Sequence, residues 1–296
     1  MKNNLKYYRA TLAVAAAWLL SGCAGVPDRL PLASLAGASV SLTIPFKVLS
    51  PEGSGPFPAV VILHDCSGLG ANSSGAPARW AQVLVSRGYV AIMPDSFSSR
   101  GFADGVCANP SPARLNVAPS RRVADAYAAL AHLRALPNVD GARIGVMGGS
   151  HGGATTLATM AAHGEAQAAL KGLRGFAAAI ALYPSCSIRL GDWYADGRGV
   201  YQPLAPLLIL SGELDDWTPA APCKKLTDVA QQAGHPVSIK IYPGAHHSFD
   251  NARPVRYVAT RINANAPDGR GATTGGNAEA WADSMREVTA FFGKHL

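Results

Sequence analysis

The spacing of hydrophobic and polar residues changes repeatedly along the chain and predicts its secondary structure. Hydrophobic residues alternate with Ser or Thr over residues 39–44, which predicts a half-buried strand. Short hydrophobic runs predict further strands at residues 59–63, 89–93, 143–147, 177–182, 206–210 and 237–241. The stretches between them predict helices at residues 77–87, 119–136, 151–163, 219–233 and 279–294.

Strands and helices that alternate in this way are typical of a largely parallel sheet covered by helices on both faces. We therefore predict an α/β protein with a doubly wound sheet in one domain, residues 39–296. The length is compatible with a single domain, because α/β domains of about 250 residues fold around one core. Residues 263–277 are rich in Gly, and this composition predicts a flexible loop before the last helix.

The first 22 residues predict a signal peptide. Three basic residues precede an uncharged hydrophobic run at residues 10–20, which is too short to cross a bilayer because a spanning helix needs about 20 apolar residues. The run ends in Leu-Ser-Gly-Cys, which resembles the lipobox of bacterial lipoproteins. An ordinary secretory signal with an incidental Cys is the alternative interpretation.

If the lipobox is used, Cys23 becomes the mature N-terminus and carries the lipid, and residues 23–38 form a tether. Acylation by several chains gives stable membrane anchoring. Ala24, rather than Asp, follows the Cys, and this resembles the pattern of lipoproteins sorted to the outer membrane. We expect a lipid-anchored protein of the bacterial cell envelope that faces the periplasm.

The formal charge of +7 does not indicate a nucleic-acid partner. Removal of residues 1–22 takes away three basic residues and no acidic one, which leaves +4. No run of Lys or Arg is longer than two residues, so we expect no nucleic-acid function.

Four cysteines remain after processing: Cys66, Cys107, Cys186 and Cys223. An even number in an oxidising compartment favours two disulfides, although four cysteines allow three pairings. A zinc site is the competing interpretation, but the sequence has no Cys-x-x-Cys pair and no matching His spacing. We therefore expect no metal.

The strongest chemical motif is Gly-x-Ser-x-Gly around Ser150, placed between a predicted strand and a predicted helix. This is the context of a nucleophile elbow, in which flanking glycines let the Ser occupy a tight turn. Asp215 follows the strand at 206–210, and His247 follows the strand at 237–241. The order Ser, acid, His is that of α/β-hydrolases, and both partners follow strand ends, where ligands bind in open α/β sheets.

With these motifs, residues 40–295 resemble the dienelactone hydrolase family. The stretches that carry the resemblance are VVILHDCSG at residues 60–68, MPDSF at 93–97, GGSHGG at 148–153, GELD with a later Pro at 212–219, and YPGAHHSF at 242–249. The resemblance implies an α/β-hydrolase fold, a Ser or Cys nucleophile, and neither a metal nor an organic cofactor.

The family roles imply that Ser150 attacks the acyl carbon, that His247 transfers the proton, and that Asp215 orients the imidazole. The backbone N–H groups of Cys66 and His151 are then expected to form the oxyanion hole. The spacing to Gly212, Pro219 and Phe249 favours Asp215 over Asp216 and His247 over His246. The family strand order also implies the disulfides Cys66–Cys107 and Cys186–Cys223.

Two departures from the family concern the substrate. The founding members use Cys as the nucleophile, and an Arg shortly after the catalytic His binds a substrate carboxylate. Here only Arg253, at a different spacing, or Arg100 could serve. Tyr183 and Trp217 are further substrate-binding candidates, and packing at the rim explains them equally well.

Other functional residues are weaker candidates. Cys66 could be a second nucleophile, but a structural disulfide with Cys107 is the preferred interpretation. His64 and His151 are expected to line the site rather than act as bases, and Asp95 is as well explained by a turn.

The sequence therefore predicts a serine hydrolase that acts on a small-molecule carboxylic ester or lactone. An acyltransferase with the same triad is the first alternative, because water exclusion cannot be judged from sequence. A non-catalytic binding lipoprotein is the second. The natural substrate and the oligomeric state are not predicted.

Overall fold

The computed structural model describes residues 29–31, 43–170 and 174–296. The predicted lipidation site Cys23, the signal peptide and most of the tether lie outside the described residues. Among the residues that are described, no helix combines the length and hydrophobicity needed to cross a membrane.

An eight-stranded sheet forms the centre of the described structure, in the order β1-β2-β4-β3-β5-β6-β7-β8. Strands β3 to β8 are parallel, and β1 and β2 are antiparallel at one edge. The bounds are β1 Arg29–Pro31, β2 Thr43–Leu49, β3 Phe57–Leu63, β4 Val90–Pro94, β5 Val139–Gly149, β6 Ala178–Leu182, β7 Leu207–Gly212 and β8 Val237–Tyr242.

Within the described ranges, six α-helices flank the sheet: α1 Ala76–Val85, α2 Val123–Ala135, α3 His151–Met160, α4 Glu165–Leu170, α5 Ala220–Gln232 and α6 Ala278–His295. Helices α2 to α5 contribute to the hydrophobic core on one face, and α1 and α6 to the core on the other. Because both faces are covered, β4, β6 and β7 are buried along their whole length. The predicted doubly wound α/β fold is confirmed.

Several segments differ from the sequence prediction. Helix α4 was not predicted, and β2 continues to Leu49, beyond the predicted strand at residues 39–44. Arg29–Pro31, within the predicted tether, pairs with β2 and extends the sheet. The predicted loop at 263–277 contains β10 Arg270–Thr274, which pairs antiparallel with β9 Arg256–Ile262. Most residues of β9 are exposed, so this strand lacks the hydrophobic pattern that reveals a buried strand. The β9–β10 hairpin docks on loops that follow the main sheet, as described below.

The parallel strands bring four sequence motifs to one edge of the sheet. The segments that follow β3, β5, β7 and β8 carry Cys66, Ser150, Asp215 and His247 respectively. Carboxyl ends of parallel strands meet at the same edge, and this is where ligands bind in open α/β sheets. The topology therefore assembles the candidate site from residues far apart in the chain.

Candidate active site

Ser150 occupies a tight turn between β5 and α3. Its backbone has φ 54° and ψ −117°, a conformation that non-glycine residues rarely adopt and that is found at functional sites. The Ser150 N–H donates to Leu182 O at 2.9 Å, which fixes the turn against the end of β6. This geometry is that of a nucleophile elbow.

Two glycines beside Ser150 are required by close packing. A Cβ on Gly152 would lie 1.9 Å from Leu63 O, and a Cβ on Gly148 would lie 2.6 Å from the backbone of Gly152. Such distances are far below van der Waals contact, so any side chain at either position would push the elbow away from β3. The Gly-x-Ser-x-Gly pattern is therefore a packing requirement of the turn.

Ser150, His247 and Asp215 form a continuous hydrogen-bonded chain. Ser150 Oγ lies 2.9 Å from His247 Nε2, and His247 Nδ1 lies 2.8 Å from Asp215 Oδ2. All three residues are buried. With Nδ1–H donating to the carboxylate, Nε2 is free to accept the Ser150 proton.

Thr218 joins this chain at the carboxylate. Its Oγ1 lies 3.0 Å from each of three atoms: Asp215 Oδ2, His247 Nδ1 and Tyr183 O. The backbone N–H groups of Trp217 and Thr218 donate to Asp215 Oδ1 at 3.0 and 2.8 Å. Asp215 is thus held by the turn that leads into α5, and the sequence analysis did not identify Thr218.

The neighbours of the acid and the His have other partners. Asp216 accepts hydrogen bonds from the N–H and Oγ1 of Thr273, both at 2.8 Å, and so binds β10. His246 Nδ1 donates to Leu214 O at 3.0 Å from an exposed position. The structure places Asp215 and His247, and not these neighbours, next to Ser150.

The opposite side of Ser150 contains a buried guanidinium. Arg122 lies at the start of α2 and is fully buried. Its Nη1 donates to His151 Nδ1 at 2.7 Å, and its Nη2 donates to His64 O at 2.9 Å. Arg122 thus connects the segment after β3 to the first residue of α3, and the sequence analysis did not single it out.

His64 and His151 are held neutral by this environment. Burial, together with the charge of Arg122, holds the pKa of both imidazoles well below the usual 6.5. His64 Nδ1 donates to Asp65 O at 2.8 Å, and its Nε2 accepts from the Ser96 N–H at 3.2 Å. Neither imidazole contacts the triad among the described hydrogen bonds, as expected for residues that support the site.

Two clefts meet at Ser150. An apolar cleft of about 350 Å³ lies on the His151 side, with Val106, Leu115, Ala154 and Ile188 among its lining residues. A second, polar cleft runs toward the β9–β10 hairpin. Trp217 lines both, and its ring centroid lies 4.7 Å from that of His247. Its indole N–H donates to Ile262 O at 2.8 Å.

Cys66 and His151, the residues whose backbone N–H groups are expected to form the oxyanion hole, also line the apolar cleft with Ser150. His151 is the first residue of α3, where backbone N–H groups have no partner within the helix. Helix N-termini favour negative charge. The placement is compatible with the predicted role.

The two clefts revise the predicted substrate contacts. Arg100 forms a two-pronged ion pair with the buried Asp125, with both N–O distances at 2.8 Å, and lines neither cleft. Tyr183 also lines neither of these clefts. Its ring is buried beneath the elbow, and its hydroxyl donates to Asp250 Oδ1 at 2.8 Å. The Arg100 side chain binds Asp125 and the Tyr183 side chain binds Asp250. These contacts depend on the tertiary structure.

Arginines that line the polar cleft are placed to bind a substrate carboxylate, the role expected for Arg100 or Arg253. Arg253, Arg256 and Arg261 all line this cleft together with Ser150. Among the described residues, none of the three forms an ion pair with a carboxylate. The Arg261 guanidinium lies over the Trp217 ring at 5.4 Å. The cleft therefore presents three arginines beside the nucleophile, against the single carboxylate of Asp65 among its described lining residues.

Both predicted disulfides are present. Cys66–Cys107 connects the segment after β3 to the loop before α2, and Cys186–Cys223 connects the segment after β6 to α5. A group formed by Asp65, Cys66 and Cys107 brings together side chains of metal-binding type. Because both sulfurs are bonded to each other, they are not thiolates that could bind a metal.

The β9–β10 hairpin closes the rim of the site, and the sequence analysis missed it. The Ile262 N–H donates to Cys107 O at 3.0 Å, and the Gly275 N–H donates to His247 O at 3.0 Å. The hairpin thus contacts both the Cys66–Cys107 loop and the His247 loop. It also carries Arg256 and Arg261 into the polar cleft.

The model of the dienelactone hydrolase family matches residues 45–296. A Methylorubrum extorquens protein provisionally named carboxymethylenebutenolidase is 26% identical over 213 residues, which are 70% of this chain and 68% of that protein.

Solved structures share the fold. The apo form of Thermogutta terrifontis esterase 2 has a TM-score of 0.61 at 19% identity and covers 91% of this chain and 96% of its own. Porphyromonas gingivalis dipeptidyl peptidase 4 has a TM-score of 0.57 at 20% identity, and the match covers 91% of this chain but 35% of that larger chain.

Proposed function

The chain belongs to the dienelactone hydrolase family and is a hydrolase of esters or lactones, and we propose that it works through an acyl-enzyme on Ser150. The observation that carries this proposal is the buried chain of hydrogen bonds from Ser150 Oγ through His247 to Asp215. A nucleophile, a base and an orienting acid in this arrangement are the requirements of nucleophilic acyl transfer.

In the first step, Ser150 Oγ attacks the carbonyl carbon of the substrate while its proton passes to His247 Nε2. The carbonyl oxygen becomes negatively charged and is received by the backbone N–H groups of Cys66 and His151. The tetrahedral intermediate collapses when the bond to the leaving oxygen breaks and His247 returns the proton to that oxygen. The alcohol leaves, or in a lactone remains attached to the acyl group.

In the second step, a water molecule replaces the alcohol. His247 Nε2 takes a proton from the water as the water oxygen attacks the acyl-enzyme, and the same two N–H groups receive the oxyanion. Collapse breaks the bond to Ser150 Oγ, which recovers its proton from His247. Asp215 stabilises the positively charged imidazole in both steps.

We propose further that the substrate carries a negative charge. Support comes from Arg253, Arg256 and Arg261, which line the polar cleft beside Ser150 without an ion-pair partner among the described residues. Arg side chains suit carboxylate recognition because the guanidinium is a planar donor that stays charged. The apolar cleft would hold the uncharged hydrocarbon part of the substrate.

A matched pair of esters tests the charge. Mono-p-nitrophenyl succinate and p-nitrophenyl butyrate have similar length and differ in one carboxylate. We expect Arg261→Gln to lower kcat/KM for the succinate about tenfold, the loss of one charged contact, and to leave the butyrate within about twofold. Arg286→Gln, at a surface ion pair, is the control. Equal losses on both esters would contradict the proposal.

The activity itself is tested with p-nitrophenyl esters of increasing chain length and a set of lactones, with Ser150→Ala as the blank. We expect hydrolysis by the wild type and none above background by the variant. Adding an alcohol separates hydrolysis from acyl transfer, because an acyltransferase would form the new ester in preference to the acid. Full activity of Ser150→Ala would contradict the proposal.

We also propose that Cys23 is the lipidated N-terminus of an envelope protein held at the outer membrane. The support is the sequence pattern alone: a short hydrophobic run ending in Leu-Ser-Gly-Cys. Intact mass of the protein isolated from membranes would show a chain that begins at Cys23 with added acyl mass. A chain that begins elsewhere, or that lacks acyl mass, would refute this assignment.

A further inference from the structure

Arg122 is a positive charge buried without a direct counter-ion. None of its side chain is exposed, and no carboxylate of the described residues forms an ion pair with it. The nearby Asp125 is already engaged by Arg100 through both carboxylate oxygens. Asp65 and Asp95 interact with Arg122 only at longer range, and Arg122 Nε has no hydrogen-bond partner among the described residues. Burial of an unpaired cation is costly, so its retention calls for an explanation beyond packing.

The contacts of Arg122 include the residue that follows the nucleophile in the chain. Its Nη2 donates to the carbonyl of His64, two residues before Cys66, and its Nη1 donates to the imidazole of His151. Cys66 and His151 are the residues proposed to receive the oxyanion. One guanidinium therefore ties together the two chain segments that form the oxyanion hole. Its carbon also lies 5.0 Å over the Phe97 ring, which fixes the plane of the group.

We propose that Arg122 is a positioning residue of the oxyanion hole, which holds the Cys66 and His151 segments in register and biases the site electrostatically toward a negatively charged intermediate. The inference rests on the proposed function, because the oxyanion exists only if Ser150 attacks a carbonyl group. It assigns a role to a side chain that lines neither cleft itself and that forms no hydrogen bond with the triad among the described contacts.

The charge of Arg122 persists at neutral pH. Burial lowers the pKa of this guanidinium to about 10, so it remains protonated. The two imidazoles nearest to it are neutral, because their pKa values are held well below 6.5. Arg122 is thus the charged member of the group that it forms with His64 and His151, and a charge in a dry, rigid site acts more strongly than in water.

Arg134, near the other end of α2, provides a matched control. It also donates to backbone carbonyls, those of Gly141, Arg174 and Gly175. Its partners lie away from both clefts. Arg134→Met therefore removes an arginine that binds carbonyl groups from the same helix without touching the oxyanion segments.

The experiment compares Arg122→Lys, Arg122→Gln, Arg122→Met and Arg134→Met on p-nitrophenyl acetate. It also measures the inhibition constant of a trifluoromethyl ketone, which forms a charged tetrahedral adduct. We expect Arg122→Met to lower kcat about 10²-fold, as loss of one oxyanion donor does, with KM within about threefold. Inhibitor binding should weaken in parallel with kcat. Arg122→Lys, which keeps the charge, should stay within about tenfold of wild type.

If Arg122→Met does not fold, the charged Lys and uncharged Gln variants carry the test, and we expect Lys to exceed Gln in kcat by about tenfold or more. Equal kcat for those two variants, a loss confined to KM, or an Arg122→Met variant as active as Arg134→Met would overturn the proposal. A wild type inert toward all esters and lactones would instead overturn the proposed function.

Discussion

Ser150 lies between two sides of opposite charge. On the Asp215 side, a buried carboxylate accepts hydrogen bonds from two backbone N–H groups and contacts His247 and Thr218. On the Arg122 side, a buried guanidinium binds one carbonyl group and one neutral imidazole. The direct hydrogen-bond partners of each ion are mainly dipoles, and on the Arg122 side the carboxylates of Asp125, Asp65 and Asp95 add a longer-range interaction.

This difference matches the charges that develop during ester cleavage. The imidazole becomes positive next to Asp215, and the substrate oxygen becomes negative next to the segments held by Arg122. A field arranged in advance stabilises such a charge separation without further reorganisation. The nucleophile elbow thus lies between the Asp215 side and the Arg122 side. The Cys186–Cys223 disulfide belongs to the first side and the Cys66–Cys107 disulfide to the second.

The largest effect is expected at the Asp215 side. Asp215→Asn and His247→Ala should lower kcat up to about 10⁴-fold, because they remove the orienting acid and the base. Asp216→Asn and His246→Ala should remain within about tenfold of wild type, since these residues bind Thr273 and Leu214 instead. Steady-state kinetics of folded variants provides the ranking, and its reversal within either pair would refute that assignment.

The two disulfides separate stability from activity. They span similar sequence distances, 41 and 37 residues, so each double Cys→Ala variant should lose roughly 2–4 kcal/mol of unfolding free energy. Only loss of Cys66–Cys107 should also lower kcat, because Cys66 belongs to the oxyanion segment. Urea unfolding and kinetics of both variants provide the comparison. Equal kcat losses would show that the sides are not independent.

Thr218 tests how the carboxylate is held. Thr218→Val removes the hydroxyl that contacts Asp215, His247 and the Tyr183 carbonyl, and we expect kcat to fall about tenfold, the value of one hydrogen bond to a charged group. Thr218→Ser keeps the hydroxyl and should recover most of this loss. Unchanged kcat in Thr218→Val would show that the Thr218 hydroxyl does not help to position Asp215 and His247 for catalysis.

The last prediction concerns the free energy of unfolding and its dependence on pH on the Arg122 side, not the turnover number. His64 and His151 have pKa values below 6.5 in the folded chain, so the unfolded chain binds more protons below that pH. The free energy of unfolding should fall as pH decreases below 6.5, by up to about 1.4 kcal/mol per pH unit for each imidazole.

Urea unfolding between pH 7 and pH 5 measures this slope. His64→Gln should flatten it, because one of the two imidazoles is gone, whereas His246→Gln, at an exposed residue, should not. Asp250 acts in the opposite direction at lower pH, because burial raises the pKa of its carboxyl. A wild-type slope that His64→Gln leaves unchanged would contradict the neutral state of His64.

The sequence carried enough information to predict the Asp215 side but not the Arg122 side. Ser150, Asp215 and His247 each follow a hydrophobic strand within a recognisable motif, so their order and spacing identify them. Arg122 follows another Arg at the start of a helix and looks like an ordinary surface residue. Its burial depends on how the turn before α2 docks against α3, which no local pattern encodes.

The dependence on tertiary structure also explains why the sequence analysis misplaced Arg100 and missed the β9–β10 hairpin. Arg100 lies three residues after the motif at 93–97, but its partner Asp125 is 25 residues away and on α2. The hairpin strand β9 is mostly exposed, so its pairing with β10 leaves no hydrophobic alternation to detect. Arg256 and Arg261 therefore entered the site only through the tertiary structure.

The central claim is that Ser150 forms the acyl-enzyme, and trapping that intermediate tests it most directly. Wild-type protein mixed with p-nitrophenyl acetate and quenched in acid within milliseconds to seconds should gain one acetyl group, and peptide mapping by mass spectrometry should place it on Ser150. His247→Ala should gain it far more slowly. Acetyl mass on another residue, or hydrolysis by the wild type with no acyl-enzyme and undiminished turnover in Ser150→Ala, would contradict the account.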